Sequence, residues 1–352
     1  MAVIISGIQQ MGIGVPNVEE AFRFYRNFFG NDIKIFEEAA QAPLMLNYTG
    51  GVVHSRTATM AINMNGGGGF EIWQFTSRNT EKATFDILLG DTGLYATRIK
   101  CRDVQAAYAQ FKNDGAKMIG ELSKTPHGQY HFFVHDPNGN LFEVVEGDGW
   151  FGKTKHLCGG VAGAMIGVSD IEKAKKLYTN VLGYDVVKYD VNGNFDDLKA
   201  IPGGGESFRR VLLAHSESRK GPFSELLGPT QIELVQVTSR MPRKIFENRF
   251  WGDWGFIHLC FDVKNMDELK QRAEANGFPF TVDSGGTFDM GEAGGRFSYV
   301  EDPDGTLIEF VETHKLPVLK KIGWYLDLKK RPAEKPLPRW MLKALRFSRV
   351  KG

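Results

Sequence analysis

Several charged side chains sit inside stretches that otherwise read as apolar strands. Glu309 in LIEFVE and Glu143 in LFEVVE have neighbours at i±1 that point to the opposite face. A carboxylate turned inward from such a run is costly to bury unpaired, so a metal ion or another cation must stand beside it, or the strand end is wet. His258 in GFIHLCFDV is flanked by apolar residues, which suits either a satisfied core histidine or an imidazole ligand. Glu71 in FEIWQF and Glu233 in QIELVQV carry the same argument more weakly, because a solvent-facing glutamate on a sheet is common.

Other reactive-looking groups lack such support. His127, His131 and His135 recur every four residues, but HFFVHDPNGN reads as a strand entering a turn, so their side chains diverge rather than converge on a metal. His54, His156, His215 and His314 have no supporting pattern. Gly66–Gly69 reads as a tight or mobile hairpin loop and lacks the lysine and strand–helix context of a phosphate loop. The glycine-rich stretch Ser284–Phe297, just before the Glu309 strand, is either a lid or a plain flexible connection. Cys101, Cys158 and Cys260 are more than 50 residues apart, with no CxxC and no zinc spacing, which reads as a reduced, intracellular protein.

The elements that must carry these residues come in repeats. GIGVPNVEEAFRFYRNFFG (12–30) returns as MIGVSDIEKAKKLYTNVLG (165–183), with Ile13, Gly14, Val15, Glu19, Ala21, Tyr25, Asn27 and Gly30 recurring 153 residues later. HDPNGNLFEVVE (135–146) returns as EDPDGTLIEFVE (301–312) at an offset of 166, so the second copy holds 13 extra residues. FEIWQF against IELVQV places nine of them near IPGGGESFRR and four in the glycine-rich stretch. Asn17 and Asp170 read as N-caps of helices ending at Gly30 and Gly183. Asp103–Gly115 and Asn265–Gly277 read as a second helix in each copy. A strand precedes each helix and about three follow it, with DPNG and DPDG supplying turns. The expected fold is α+β, with four βαβββ units in two domains (1–149 and 155–314), a linker near Asp148–Thr154 and a tail at 315–352.

GVxxxEEAxxFYxxxxG after the first strand, the HLCFDV strand and DPDGTLIEFVE resemble the vicinal-oxygen-chelate superfamily, over roughly residues 6–313. That superfamily includes glyoxalase I, extradiol dioxygenases and metal-free bleomycin-resistance proteins. The resemblance implies one metal-ligand position on the first and one on the last strand of each unit. By register these are Gln10 and Glu71, then Ala96 and Glu143, then Gly163 and Glu233, then His258 and Glu309. In tandem chains of glyoxalase I type, the resemblance implies a site joining the first unit to the last. That site would gather Gln10, Glu71, His258 and Glu309, oxygen and imidazole donors with room for water. The opposite set, Ala96, Glu143, Gly163 and Glu233, would be dead. Pairing within each half is the alternative, leaving Glu233, His258 and Glu309 together and Gln10 and Glu71 with Glu143. A one-residue slip would exchange Gln10 for Gln9.

The resemblance implies a divalent ion (Zn, Ni, Co, Mn or Fe) and an isomerase or lyase that moves a proton next to a carbonyl of a small molecule, with Glu309 or Glu71 as base. A metal-free binding protein of the bleomycin-resistance type is the alternative. Ring cleavage fits less well, because its facial triad needs two histidines and only one of the eight positions is His.

Composition sets the remaining bounds. The 352 residues are 42% hydrophobic and 24% charged, an ordinary globular balance, with net charge +1. The sum conceals a cancellation, because residues 315–352 hold 12 basic and 2 acidic side chains while the rest holds 31 and 40. RWMLKALRFSRVK reads as a basic amphipathic helix with Arg339, Lys343 and Arg346 on one side and Met341, Leu342 and Leu345 on another. Docking on the acidic body or on a partner chain is the favoured reading, with Trp324, Trp340 and Phe347 buried there. Contact with a membrane surface is the weaker one, and no nucleic-acid motif accompanies the tail. The apolar start MAVIISGIQQMGIGV lacks a basic leader region and a cleavage site, and no apolar run approaches the ~20 residues of a spanning helix, so a cytoplasmic monomer or homodimer is expected.

Overall fold

The computed structural model describes residues 2–285, 288–290, 293–319 and 324–350. The repeats fold as four βαβββ units. The first comprises β1 (Ile4–Gly14), α1 (Val18–Phe24), β2 (Ile33–Gln41), β3 (Ser55–Ile62) and β4 (Gly69–Phe75). The second comprises β5 (Gly93–Cys101), α2 (Val104–Asn113), β6 (Lys117–Lys124), β7 (Tyr130–His135) and β8 (Leu141–Glu146). In the third, β9 (Cys158–Gly167), α3 (Ile171–Lys175), β10 (Val186–Gly193) and β11 (Phe208–Ala214) are followed by a short α4 (Ser224–Leu227) and β12 (Gln231–Val237). The fourth comprises β13 (Gly255–Lys264), α5 (Met266–Ala275), β14 (Val282–Asp283), β15 (Phe288–Met290), β16 (Ala293–Glu301) and β17 (Leu307–Leu319). The tail adds β18 (Trp324–Asp327) and α6 (Arg339–Ala344).

Local chemistry accounts for the helix ends. Asn17, Asp103 and Asp170 accept hydrogen bonds from the backbone N–H groups of Glu20, Ala106 and Lys173 at 3.1, 2.9 and 3.1 Å. Asn265 does not cap α5; its amide donates to the Ala2 carbonyl instead, at 2.6 Å. The repeated tyrosine and the repeated turn aspartate turn out to be partners. Tyr25 donates to Asp136 at 2.7 Å and Tyr178 to Asp302 at 3.1 Å, and each aspartate also accepts two backbone N–H bonds, one from within its DPNG or DPDG turn and one from the residue that follows it.

The units then exchange partners. One sheet runs β14-β16-β17-β13-β1-β4-β3-β2, with β15 added on β16 and β18 on β17; the other runs β10-β11-β12-β9-β5-β8-β7-β6. The first therefore joins the first unit to the fourth through the antiparallel β1–β13 seam, and the second joins the second unit to the third through β5–β9. Helices α1, α2, α3 and α5 and one face of both sheets share a continuous apolar core. The opposite face of the first sheet carries a separate cluster with Trp73, Phe75, Trp251, Tyr299 and Met45, and that of the second carries one with Tyr95, Met165, Ile201 and Phe208.

Gly66–Gly69 is not a mobile hairpin: Gly67 and Gly68 donate to the carbonyls of Leu226 and Val161 at 2.9 and 2.8 Å, tying the two halves together. In the Ser284–Phe297 stretch, residues 286, 287, 291 and 292 lie outside the described residues, and the rest forms the β15–β16 hairpin. The tail docks on the body. Leu328, Leu337 and Leu342 are buried against Ile33, Met60, Ile62, Met64, Phe151 and Leu226. Arg339 pairs with Glu225 at 2.8 Å, and Arg349 with Asp32 at 3.4 Å. The aromatic residues depart from expectation: Trp340 and Phe347 face outward, and the Trp324 side chain lies outside the described residues.

Candidate metal centre

On the inner face of the first sheet, four adjacent strands each turn one side chain to a common point. A bulge in β1 between Ile8 and Gln10 shifts the register, so Gln10 stands opposite Cys260 and faces inward. Gln9 is diverted toward Asp262 and Cys260, so the one-residue slip does not occur. Glu71 comes from β4, His258 from β13 opposite Gly12, and Glu309 from β17 beside Cys260. Gly12 is required by this geometry, because a Cβ there would lie 2.4 Å from His258 Nε2.

His258 Nε2 lies 3.3 Å from Glu71 Oε2 and 3.2 Å from Glu309 Oε2. The Gln10 amide lies 3.1 Å from the same Glu71 oxygen and 3.5 Å from that Glu309 oxygen. One ligand atom from each of Glu71, His258 and Glu309 falls within 4.8 Å of the others. The Tyr299 hydroxyl contacts His258 Nδ1 at 3.2 Å, and the Trp251 ring lies nearly parallel to the imidazole at 6.3 Å. With Nδ1–H donating to Tyr299, the bare Nε2 lone pair would face two carboxylates. Only a proton or a metal ion between them makes that arrangement favourable, so the donor set fits a divalent ion.

The electrostatics agree. Burial pushes the His258 pKa down, but the charges of Glu309 and Glu71 outweigh it and hold the imidazole above its ordinary value. Glu309 is raised, by burial first and by repulsion from Glu71, despite the nearby His258. For Glu71, burial also acts upward but is overcome by the hydrogen bond and charge of His258, with help from Trp73 and Arg56, so its pKa is lowered.

Glu143 and Glu233 belong to the other sheet, so the within-half pairing is not formed. There the four equivalent positions hold no such centre. Gly163 has no side chain, and a Cβ would lie 2.0 Å from the Gln231 carbonyl and 3.4 Å from Arg98 Cδ. Arg98 runs through that space and meets Glu143 at 2.8 Å and Glu233 at 3.6 Å. Arg210 binds Glu233 at 2.7 Å and Asp197 at 2.8 Å, and His131 Nδ1 contacts Glu143 at 2.8 Å. Burial would raise the Glu143 pKa, but Arg98, His131 and Arg210 bring it down to about 2. Two guanidinium groups thus supply the positive charge that the two inward glutamates require. Arg98 and Arg210 were not singled out by type and spacing, and His131, set aside as a metal ligand, instead serves Glu143. The available signal was Arg98 in LYATRIKC, two residues beyond Ala96 and hence on the same face.

Two curled sheets of paired βαβββ units, one bearing an inward Gln/Glu/His/Glu set, define a tandem chelate-type architecture. The chain belongs to the Glyoxalase/Bleomycin resistance protein/Dioxygenase superfamily, whose sequence profile matches residues 7–144 and 160–310. Among solved structures it is similar to glyoxalase I from Zea mays, at 16% identity and a TM-score of 0.54 over 88% of this chain and 92% of that one. It is also similar to a putative dioxygenase from Bacillus subtilis, at 15% identity and a TM-score of 0.55 over 88% and 86%. At these identities the likeness is one of fold. No curated protein matches the sequence significantly.

Proposed function

We propose that this protein is a divalent-metal-dependent isomerase or lyase of glyoxalase I type, which moves a proton next to a carbonyl of a small molecule. The observation that carries the reading is the convergence of Glu71, His258 and Glu309, with Gln10, from opposite ends of the chain. The equivalent set in the other sheet is filled by arginine, so among the described residues there is one such centre.

Gln10, Glu71, His258 and Glu309 would hold the ion, whose identity among Zn, Ni, Co, Mn and Fe is open. A bound ion supplies Lewis-acid polarisation of a substrate oxygen. The chain's own groups do the rest. Where the Tyr299 hydroxyl accepts from Nδ1–H, the imidazole is held in the tautomer whose Nε2 lone pair faces the two carboxylates. Glu309 or Glu71 takes the proton from the carbon beside the carbonyl and returns it to the neighbouring carbon. Trp73, Trp251 and Tyr299 cover the site and exclude water from the exchange. A single histidine leaves the two-histidine triad of ring cleavage unmet.

That same aromatic cover favours a second reading, a metal-free protein that sequesters an apolar small molecule against Trp73, Phe75 and Trp251. Metal analysis separates the two. Protein purified from metal-replete cells should carry about one divalent ion per chain, and His258→Ala or Glu309→Ala should reduce it at least about tenfold. Wild-type protein without stoichiometric metal under those conditions would overturn the enzymatic reading. No helix among the described residues is long and apolar enough to cross a membrane. We place the protein in the cytoplasm, on the strength of its three free, buried cysteines.

A further inference from the structure

Docking of the tail leaves an unusual surface. The inner side of α6 and its continuation Leu345–Ser348 is committed to the body through Leu342, with Met341 and Leu345 half-buried beside it. The outer side presents Trp340, 59% exposed, and Phe347, 79% exposed. They stand two turns apart, about 10 Å along the axis, and so share one face. Lys343 and Arg346 lie on that face, and Arg346 sits over the Phe347 ring at 5.4 Å.

The charge on this face is not used by the fold. Arg339 and Arg349 reach acidic groups of the body, Glu225 and Asp32. Among the described residues, Lys329, Lys335, Lys343 and Arg346 are exposed and pair with no carboxylate. The two acidic residues of the tail are already engaged, Asp327 with Lys330 and Glu334 with Lys220. A surface helix normally turns polar side chains to water. Here two large rings are held in water between unpaired cations, on a segment already ordered by its buried leucines.

We propose that the outer face of the C-terminal helix, Trp340, Lys343, Arg346 and Phe347, is a docking surface for a membrane bearing acidic phospholipids. Charge complementarity selects the partner. Lysine and arginine are drawn to an anionic leaflet, and aromatic rings prefer the headgroup boundary, about 5–10 Å deep. Because the helix is pre-ordered, binding does not have to fold it. Docking on the body and contact with a membrane use opposite faces of one helix, so they are compatible rather than competing fates. The protein would lie on the bilayer as a peripheral domain.

The test is sedimentation of the full chain with vesicles of phosphatidylcholine alone or with about 30 mol% phosphatidylglycerol, at roughly 50 and 500 mM salt. The pelleted fraction should rise at least about fivefold with phosphatidylglycerol at low salt and fall at high salt. Trp340→Ala/Phe347→Ala and Lys343→Glu/Arg346→Glu should each abolish the gain. Because all four side chains are exposed, both double variants should keep the wild-type Tm within about 2 °C. No dependence on acidic lipid, or pelleting that survives both double variants, would overturn the proposal. So would retention of a single-stranded oligonucleotide through these residues in place of vesicles, or a dimer in solution that Trp340→Ala/Phe347→Ala dissociates.

Discussion

Asp262 shows how much a single buried group can impose. It lies on β13, four residues beyond His258, fully buried, with the Gln9 amide at 3.5 Å. Burial dominates over the help of Ser6, Lys264 and Gln9 and raises its pKa from 3.8 to about 7. The folded state therefore keeps a proton that the unfolded chain releases above about pH 4. That contribution to stability is complete below the unfolded value, declines through the window from about 4 to 7, and is gone above it. At about 1.36 kcal/mol per unit, the swing is on the order of 4 kcal/mol. Asp262→Asn removes the titration. Its Tm relative to wild type should rise between pH 5 and pH 8, which calorimetry at the two values reads directly; a constant difference would show that Asp262 titrates normally. The type of residue was legible here, its environment was not, because Asp262 sits in an apolar strand like the glutamates that do meet cations.

At the scale of elements, the inward carboxylates were readable from strand alternation alone: Glu143 and Glu309 both point inward and neither is left without a partner. What alternation could not show is which partner each one meets. That depends on neighbours brought beside it by the sheet, His258 in one case and Arg98 with Arg210 in the other. Cys101 and Cys158 illustrate the same limit, standing as cross-strand partners on the β5–β9 seam although they are far apart in sequence. The arginine-filled centre has a measurable consequence. Arg98→Ala leaves Glu143 and Glu233 buried with one guanidinium between them, and loss of one partner from a buried charge network costs about 3–5 kcal/mol. Urea unfolding should show a loss of that order. Bound metal in the surviving folded protein should stay at the wild-type level, because Arg98 belongs to the other sheet. A stability change below about 1 kcal/mol would mean that the network contributes no more than a surface pair.

For the whole molecule, duplication explains the fold more fully than length or net charge does. The repeat was visible as recurring blocks, yet neither repeat folds onto itself: each contributes one unit to each sheet, and the seams β1–β13 and β5–β9 hold the halves together. Gln10 and Glu71 lie on one side of the connection and His258 and Glu309 on the other, so the candidate centre exists only when both halves are assembled. Residues 147–157 contain no helix or strand, and Lys153 is exposed, so the chain can be divided after Lys153 with little local damage. Each half alone would expose the unpaired edges of its seam strands, an invitation to aggregate. Residues 1–153 expressed alone should therefore be poorly soluble and hold no metal, even in metal-replete cells. Co-expressed with 154–352, they should co-purify through a tag on either half and regain about one ion per assembled pair. Soluble 1–153 with a stoichiometric ion of its own would mean that Gln10 and Glu71 find their remaining ligands within the first half, and the cross-half centre would have to be abandoned.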